Sequence, residues 1–164
     1  MQPSACAQAC VPVSQATRAR RMWMRCCVPR RFLSKGRGVR ADDEMIQERG
    51  AHPMRKGFSG LYDAEAQGDN PFCGDMLSVR VAVRSGENGA VIERAAFDGY
   101  ACTLCSACAD ALMQRVEGMR VREAETLSVE DVLALWGGLE VGRTRRGCVE
   151  LPLIVLKRAL ALLQ

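Results

Sequence analysis

Two neighbouring segments in the middle of the chain alternate apolar and polar residues with the period of a β-strand. From residue 77 to residue 84, Leu or Val stands at every second position, with Ser, Ala or Arg between them, which predicts a half-buried strand. A turn rich in Gly and polar residues follows at 85–89, and Ala90–Phe97 predicts the returning strand. Asp98-Gly99 is expected to break it. The pattern therefore predicts an antiparallel β-hairpin.

Apolar residues recur at helical spacing in other parts of the chain. The predicted helices cover residues 42–51, 104–116, 128–136 and 151–163. Ser128 and Asp131 form the capping-box pattern that opens the third of them, and Pro152 is accommodated in the first turn of the last. Because the strands come first and most helices follow, we expect an α+β domain. Its small antiparallel sheet, a hairpin plus a short strand, would carry the helices on one face.

Charge divides the chain into two parts. Residues 1–40 contain nine basic side chains and no acid, whereas the remainder contains 14 basic and 19 acidic residues. We expect residues 1–41 to be a basic leader: a disordered tail, a mitochondrial presequence, or a segment upstream of the true start at Met45. Residues 42–164 would form the domain. Its acidic balance argues against nucleic-acid binding, which needs a clustered Lys/Arg surface.

The sequence carries no signal for a membrane or for export. No stretch approaches the roughly 20 apolar residues that cross a bilayer, and the leader lacks the apolar core of a signal peptide. Arginine greatly outnumbers lysine, which favours a bacterial chain and a cytoplasmic location. A genuine presequence would instead place the protein in mitochondria.

Nine cysteines are a high count for a chain of 164 residues. The acidic part of the chain contains five of them: Cys73, Cys102, Cys105, Cys108 and Cys148. Disulfides would explain such a count in a short secreted protein. Without an export signal, reduced thiols that serve a metal are the better interpretation.

The first candidate site is the segment Asn70-Pro71-Phe72-Cys73-Gly74-Asp75. It places a thiol and a carboxylate two residues apart on a tight turn that leads into the first predicted strand. The glycine between them lets the backbone approach a bound ion closely. Taken alone, the segment is equally compatible with a loop that holds a buried cysteine and a turn-favouring aspartate.

The second candidate site is Cys102-Thr-Leu-Cys105-Ser-Ala-Cys108. Cys102 is expected in the loop after the hairpin, and Cys105 and Cys108 share one face of the first turns of the next helix. The helix N-terminus is expected to lower the pKa of these thiols and so favour the thiolate that metals bind. The spacing is not that of a bacterial ferredoxin, and packing of Cys105 and Cys108 under the sheet is the alternative.

The third candidate is Cys148, which follows the Arg-rich segment 143–147. That segment is expected to be a loop before the last helix. A lone cysteine is more often a core residue than a ligand. The neighbouring arginines would stabilise a thiolate at Cys148, although a solvated basic loop explains them equally well.

In combination, these segments resemble the U-type iron–sulfur scaffolds, the family of IscU and the N-terminal domain of NifU. Residues 70–75 are similar to its NPxCGD motif. Residues 99–109 are similar to its G-x-G-C-x-I-S-x-A-S-A segment, in which Cys105 and Cys108 stand at serine positions. Cys148 matches the third cysteine of the family. The resemblance extends over the acidic part of the chain to its C-terminus.

The resemblance implies a scaffold that accepts sulfur from a cysteine desulfurase, assembles a labile [2Fe–2S] cluster and passes it to apo-proteins. Such a scaffold is not an enzyme in the sense of turnover. By position, Cys73, Cys102 and Cys148 would be the cluster thiolates, and Asp75 would keep the cluster transferable. Three thiolates and a weaker oxygen donor would load and release a cluster more readily than four cysteines. The implied partners are a desulfurase and apo client proteins, with no nucleic acid and no membrane.

Two departures from the family pattern bear on the predicted ligands and on the predicted partners. Gly147 stands where the family has His or Lys before the third cysteine, so a fourth ligand would come from Asp75, water, Cys105 or Cys108. The Leu-Pro-Pro-x-Lys segment that recruits the family's chaperones is replaced by Leu-Glu-Val-Gly-Arg at 139–143. The sequence therefore gives no support for chaperone-dependent release.

Two alternatives stay open. One is a zinc-bound sulfur carrier like SufU, with Zn²⁺ held tetrahedrally by Cys73, Asp75, Cys102 and Cys148, and one thiol leaving the metal to carry a persulfide. The 46-residue step from Cys102 to Cys148 is shorter than is usual in that branch, which favours the scaffold. The other alternative is a small module with purely structural zinc, which would unfold on chelation.

Overall fold

The chain is described here by a computed structural model, which covers residues 39–40, 43–57 and 59–163. The strands are β1 (Val39–Arg40), β2 (Ala64–Asn70), β3 (Asp75–Arg84), β4 (Val91–Tyr100) and β5 (Leu139–Glu140). The helices are α1 (Glu44–Ala51), α2 (Thr103–Val116), α3 (Val121–Glu125), α4 (Val129–Ala134) and α5 (Arg143–Ala161). Apart from β1, the predicted leader at 1–41 lies outside the described residues.

Strands β2, β3 and β4 form an antiparallel meander in that order, and β1 pairs with β5 in a separate two-stranded sheet. In β3 the predicted alternation holds at Leu77, Val79 and Val81, which are buried, while the positions between them are more exposed. The register pairs Asn70 with Asp75, so β2 and β3 are joined by the short turn at 71–74. The predicted hairpin is therefore the second half of a three-stranded sheet.

The helices cover one face of this sheet. Helix α5 packs on β2 and β3, α2 packs on β4, and α1 packs on α2. The buried apolar side chains of β3, β4, α2 and α5 form one continuous core, whose removal from water is the main stabilising contribution to such a fold. The predicted α+β architecture, with helices on one face of an antiparallel sheet, is confirmed.

The capping box of α4 is confirmed as well. The Ser128 backbone N–H donates to Asp131 Oδ2 at 2.8 Å, and the Asp131 N–H donates to Ser128 Oγ at 3.2 Å. Among the described residues, no helix combines the length and the apolarity needed to cross a membrane.

The predicted break at Asp98-Gly99 is wrong, because β4 passes through both residues. The strand continues to Tyr100, and Gly99 pairs with Leu77. Gly99 adopts a φ of +124°, which a glycine reaches without steric cost. The glycine therefore allows an unusual backbone conformation within the strand instead of ending it.

The last helix also differs from the prediction. It begins at Arg143 rather than at Leu151, so Pro152 lies in its interior. Pro152 has no N–H to donate to the Cys148 carbonyl, and an interior proline costs a helix about 3 kcal/mol. Buried residues on both sides of Pro152 pack in the core, and this packing outweighs the loss. Cys148 consequently lies inside a helix.

Candidate metal centre

The turn between β2 and β3 positions the first two candidate ligands. The N–H groups of Cys73 and Gly74 donate to the Asn70 carbonyl at 3.2 and 2.9 Å, and Gly74 adopts a φ of +71°. The Asn70 side chain closes the turn by accepting the Phe72 N–H at 3.2 Å, as in an Asx-turn. This turn leaves Cys73 exposed and makes Asp75, only 2% exposed, the first residue of β3.

Cys102 is the N-cap residue of α2, directly after β4. Its backbone N–H donates to Asp75 Oδ1 at 2.7 Å, and its Sγ lies 3.6 Å from Asp75 Oδ2. The Cys105 N–H donates to Cys102 Sγ at 3.4 Å, so this sulfur replaces the oxygen of an ordinary N-cap. Asp75 therefore connects the start of β3 to the start of α2 and holds the exposed Cys102 beside itself.

Cys148 lies in the second turn of α5 and is 1% exposed. Its Sγ is 3.1 Å from Cys73 Sγ, and Asn70 Nδ2 approaches it at 3.8 Å. Burial, followed by hydrogen bonding with Cys73 and Asp75, raises the pKa of the Cys148 thiol. A metal bound there would have to displace the proton of this thiol.

The structure brings all four predicted ligands together. One ligand atom from each of Cys73, Asp75 and Cys148 lies within 4.8 Å of the others, and Cys102 Sγ adjoins the same carboxylate. The shortest donor contacts join Cys73 to Cys148 and Asp75 to Cys102, and Cys148 also interacts with Asp75 and Cys102. The donor set is three sulfurs and one oxygen, and the exposed Cys73 and Cys102 open it to solvent.

Cys105 and Cys108 are fully buried in α2. Burial raises the pKa of Cys105, and the charges of Asp75 and Cys102 raise it further. Burial raises the pKa of Cys108 to about 12, against the opposing influence of the neighbouring Trp136 indole. The prediction that the helix N-terminus lowers these pKa values is wrong, because the loss of water outweighs the helix dipole. Cys105 lies beside Asp75, whereas Cys108 lies against the Trp136 indole.

The arginines before Cys148 belong to the first turn of α5 and not to a loop. Arg146 donates to Glu150 at 2.8 Å and to Glu130 at 3.1 Å. Its charge is therefore engaged with two glutamates at the surface. This pairing does not support the prediction that Arg146 stabilises a Cys148 thiolate.

Asn70 is the residue whose contact with the site the sequence did not predict. A Cβ added to Gly147 would lie 2.9 Å from Asn70 Nδ2, so the Asn70 amide fills the space beside Gly147 and reaches the Cys148 sulfur. The motif at 70–75 marks Asn70 as a turn residue. Nothing in the sequence pattern connects Asn70 with Gly147, because that contact depends on where α5 crosses the end of β2.

Large apolar side chains are exposed at the end of the sheet that carries the candidate ligands. Phe72 is 94% exposed, Tyr100 81% and Met76 56%. Met76 and Tyr100 are register partners on β3 and β4. Exposed apolar groups that cluster in this way are typical of surfaces that bind other proteins.

The fold and the site define the class of protein: an α+β domain with a thiol-rich candidate metal centre at the end of its sheet. A family model described as the NifU-like N terminal domain matches residues 41–163. The chain belongs to this family, and the predicted resemblance is confirmed.

Solved structures share the fold. An N-terminal NifU-like protein from Brucella abortus has a TM-score of 0.55 at 19% identity, covering 73% of this chain and 92% of that chain. A proposed iron–sulfur cluster assembly scaffold for the SUF system of Fervidobacterium islandicum AW-1 has a TM-score of 0.56 at 17% identity, covering 72% and 95%. A hypothetical protein has a TM-score of 0.56 at 25% identity, covering 71% and 94%. A search of curated proteins finds no significant match.

Proposed function

We propose that this chain is an iron–sulfur cluster assembly scaffold. It holds a labile [2Fe–2S] cluster on Cys73, Asp75, Cys102 and Cys148, built from iron and from the sulfur of a cysteine desulfurase, and passes it to apo-proteins. The observation that carries the proposal is the meeting of three thiols and a buried carboxylate at the surface of a NifU-like N-terminal domain. The cluster is cargo, so the chain is a carrier and not an enzyme.

The arrangement of the donors supports a binuclear cargo. A [2Fe–2S] cluster takes two protein ligands on each iron. The sulfurs of Cys73 and Cys148 lie 3.1 Å apart, and Asp75 Oδ2 lies 3.6 Å from Cys102 Sγ. The four donors that meet here therefore match in number the four protein ligands that the two irons require.

The chemistry and exposure of the donors support release. Soft thiolates are the preferred ligands of iron–sulfur clusters, whereas a carboxylate suits harder ions. Asp75 is therefore the weakest of the four donors, and its oxygens also bond to the N–H of Cys102. Cys73 and Cys102 face solvent beside Phe72 and Tyr100, so a desulfurase or a client protein can reach the cargo at this surface.

A zinc-bound sulfur carrier is the second candidate. The compactness of Cys73, Asp75 and Cys148, with ligand atoms within 4.8 Å of one another, favours it, because a single tetrahedral ion needs donors that converge on one point. In that case one of the thiols would leave the ion to carry a persulfide.

Anaerobic reconstitution of the full chain tests the proposal. The chain is incubated with ferrous iron, cysteine and a cysteine desulfurase, and visible absorption, bound iron and acid-labile sulfide are measured. Sulfide-to-iron charge-transfer bands with matched iron and sulfide are expected in the wild type. Cys73→Ala should lose them, and Cys108→Ala, which removes a buried thiol beside Trp136, should keep them.

The zinc candidate gives a different result. Tightly bound zinc without colour, together with a persulfide on one thiol, would replace the scaffold by the sulfur carrier. Equal iron and sulfide in the wild type and in Cys73→Ala would show that the cluster binds elsewhere.

A further inference from the structure

Cys102 and Cys105 form a Cys-X-X-Cys pair at the N-terminus of α2. Cys102 is the exposed N-cap residue, and Cys105 is the fully buried third residue of the helix. The proposed ligand set uses Cys102 but leaves Cys105 without a role.

The geometry of the pair suits thiol–disulfide chemistry. The Cys105 N–H donates to Cys102 Sγ at 3.4 Å, and residues three apart on a helix have Cβ atoms about 5–6 Å apart. Bridged cysteines have Cβ atoms roughly 3.5–4.5 Å apart, so the two Cβ atoms must approach by about 1–2 Å. Cys102 is the N-cap residue with extended backbone, outside the regular helix, so this approach does not require the helix to unwind. An exposed and a buried cysteine arranged in this way at a helix N-terminus are typical of disulfide oxidoreductases.

The chemistry of the proposed cargo creates a need for such a pair. Sulfur delivered as a persulfide is sulfane sulfur, whereas a cluster contains sulfide. Each sulfur atom therefore requires two electrons before it enters a cluster. Cys102 is the exposed thiol beside Asp75, and it is the candidate ligand nearest in sequence to a second thiol that the ligand set does not use.

We propose that Cys105 is the resolving thiol that releases sulfide from a persulfide on Cys102. Cys105 attacks Cys102 Sγ, the persulfide S–S bond breaks, and a disulfide joins Cys102 to Cys105. The terminal sulfur leaves as sulfide together with the proton of Cys105. The two electrons come from the Cys102–Cys105 dithiol, so the sulfane sulfur is reduced while the dithiol is oxidised.

The disulfide has a consequence for cluster loading. While it persists, Cys102 cannot be a ligand. An external dithiol reductant must therefore restore the pair before a second sulfur is released or a cluster is bound. This inference rests on the proposed function in one respect: Cys102 must receive sulfane sulfur from a persulfide donor.

The test uses the metal-free full chain, isotopically labelled cysteine and a cysteine desulfurase, without added reductant. Released labelled sulfide is measured first, and labelled persulfide and disulfide-linked peptides are measured after removal of small molecules. The wild type should release about one sulfide per persulfidated chain and contain the Cys102–Cys105 disulfide. Cys105→Ser should retain the label on Cys102 until dithiothreitol is added. Cys108→Ser, which removes a buried thiol of the same helix, should behave as the wild type.

Three results would overturn the inference: retention of the label by the wild type, equal release by Cys105→Ser, or a disulfide between Cys73 and Cys148 instead. The peptide analysis of the wild type does not depend on whether a variant folds. If no form of the chain takes up label, sulfur acceptance itself fails, and the proposed function fails with it. Uptake without release removes only the role of Cys105.

Discussion

Gly147 controls the surroundings of the Cys148 sulfur at the scale of single residues. The Asn70 amide approaches this sulfur at 3.8 Å, and a Cβ at Gly147 would lie 2.9 Å from Asn70 Nδ2. The amide is also fixed by the Phe72 N–H, which bonds to Asn70 Oδ1. A side chain at 147 and the present position of Asn70 are therefore incompatible.

Gly147→Ala tests this incompatibility. In a helix interior this change usually stabilises a protein by about 0.5–1 kcal/mol. Here we expect no gain or a loss in the free energy of unfolding, because Asn70 must move. In an Asn70→Ala background the usual gain should return. Denaturant titrations of the four proteins measure both effects, and an equal effect of Gly147→Ala in the two backgrounds would contradict the coupling.

Cys108 makes stability depend on pH. The pKa of its thiol rises from 9.0 to about 12 on folding. Below pH 9 the thiol is neutral in both states and its burial contributes fully to stability. As pH rises further, the unfolded chain loses this proton and the folded chain keeps it, so stability falls by up to about 1.4 kcal/mol per pH unit for this thiol.

Cys108→Ala should therefore have a shallower loss of stability than the wild type between about pH 9 and about pH 12. Chemical denaturation at several pH values measures the slope. Leu112→Ala, a neutral truncation at a buried position of the same helix, is the control, because it should lower stability at every pH without changing the slope. Parallel curves for the wild type and Cys108→Ala would refute the effect.

At the scale of elements, Gly99 keeps β3 and β4 in contact at the end that carries the site. A Cβ at Gly99 would overlap the Met76 carbonyl oxygen, and Met76 adjoins Asp75. Gly99 thus permits the close approach of β3 and β4 next to Asp75, whose carboxylate accepts the Cys102 N–H.

Gly99→Ala should cost about 3 kcal/mol or more in the free energy of unfolding, since positive φ and a backbone overlap act together. Gly89→Ala is the matched control: Gly89 has a φ of +110° but open space around its Cβ position, so only the φ cost of about 1–2 kcal/mol is expected. Gly99→Ala should also lower bound iron after reconstitution. Equal costs for the two variants would show that the overlap is relieved elsewhere.

The elements could be predicted from the sequence where a local pattern determined them. Alternation predicted β3, and Ser128 with Asp131 predicted the start of α4. The break at Gly99 and the start of the last helix at Leu151 were wrong for one reason. Glycine and proline weaken an isolated strand or helix, but pairing across the sheet and packing in the core decide whether the element continues.

At the scale of the whole molecule, the four candidate ligands could be predicted because three short motifs carry them. Which of these ligands contact one another could not be predicted. The contact of Cys73 with Cys148 requires α5 to pack across β2 and β3, and the spacing of the cysteines does not encode that packing. The contact of Asn70 with Gly147 depends on the same packing. Sequence motifs identify which donors are present, and the core determines which donors meet.

The core also predicts how the chain responds to loss of metal. Its apolar side chains come from the sheet, α2 and α5, and their burial does not depend on an ion. The chelator-treated chain should therefore retain its helical circular dichroism and a cooperative thermal transition.

A bound cluster or ion would add stability by mass action, about 2.7 kcal/mol at a hundredfold excess over its Kd. Cys73→Ala should have the same transition with and without iron. Complete loss of the transition on chelation would instead indicate a structural metal module, because the metal would then supply the folding free energy.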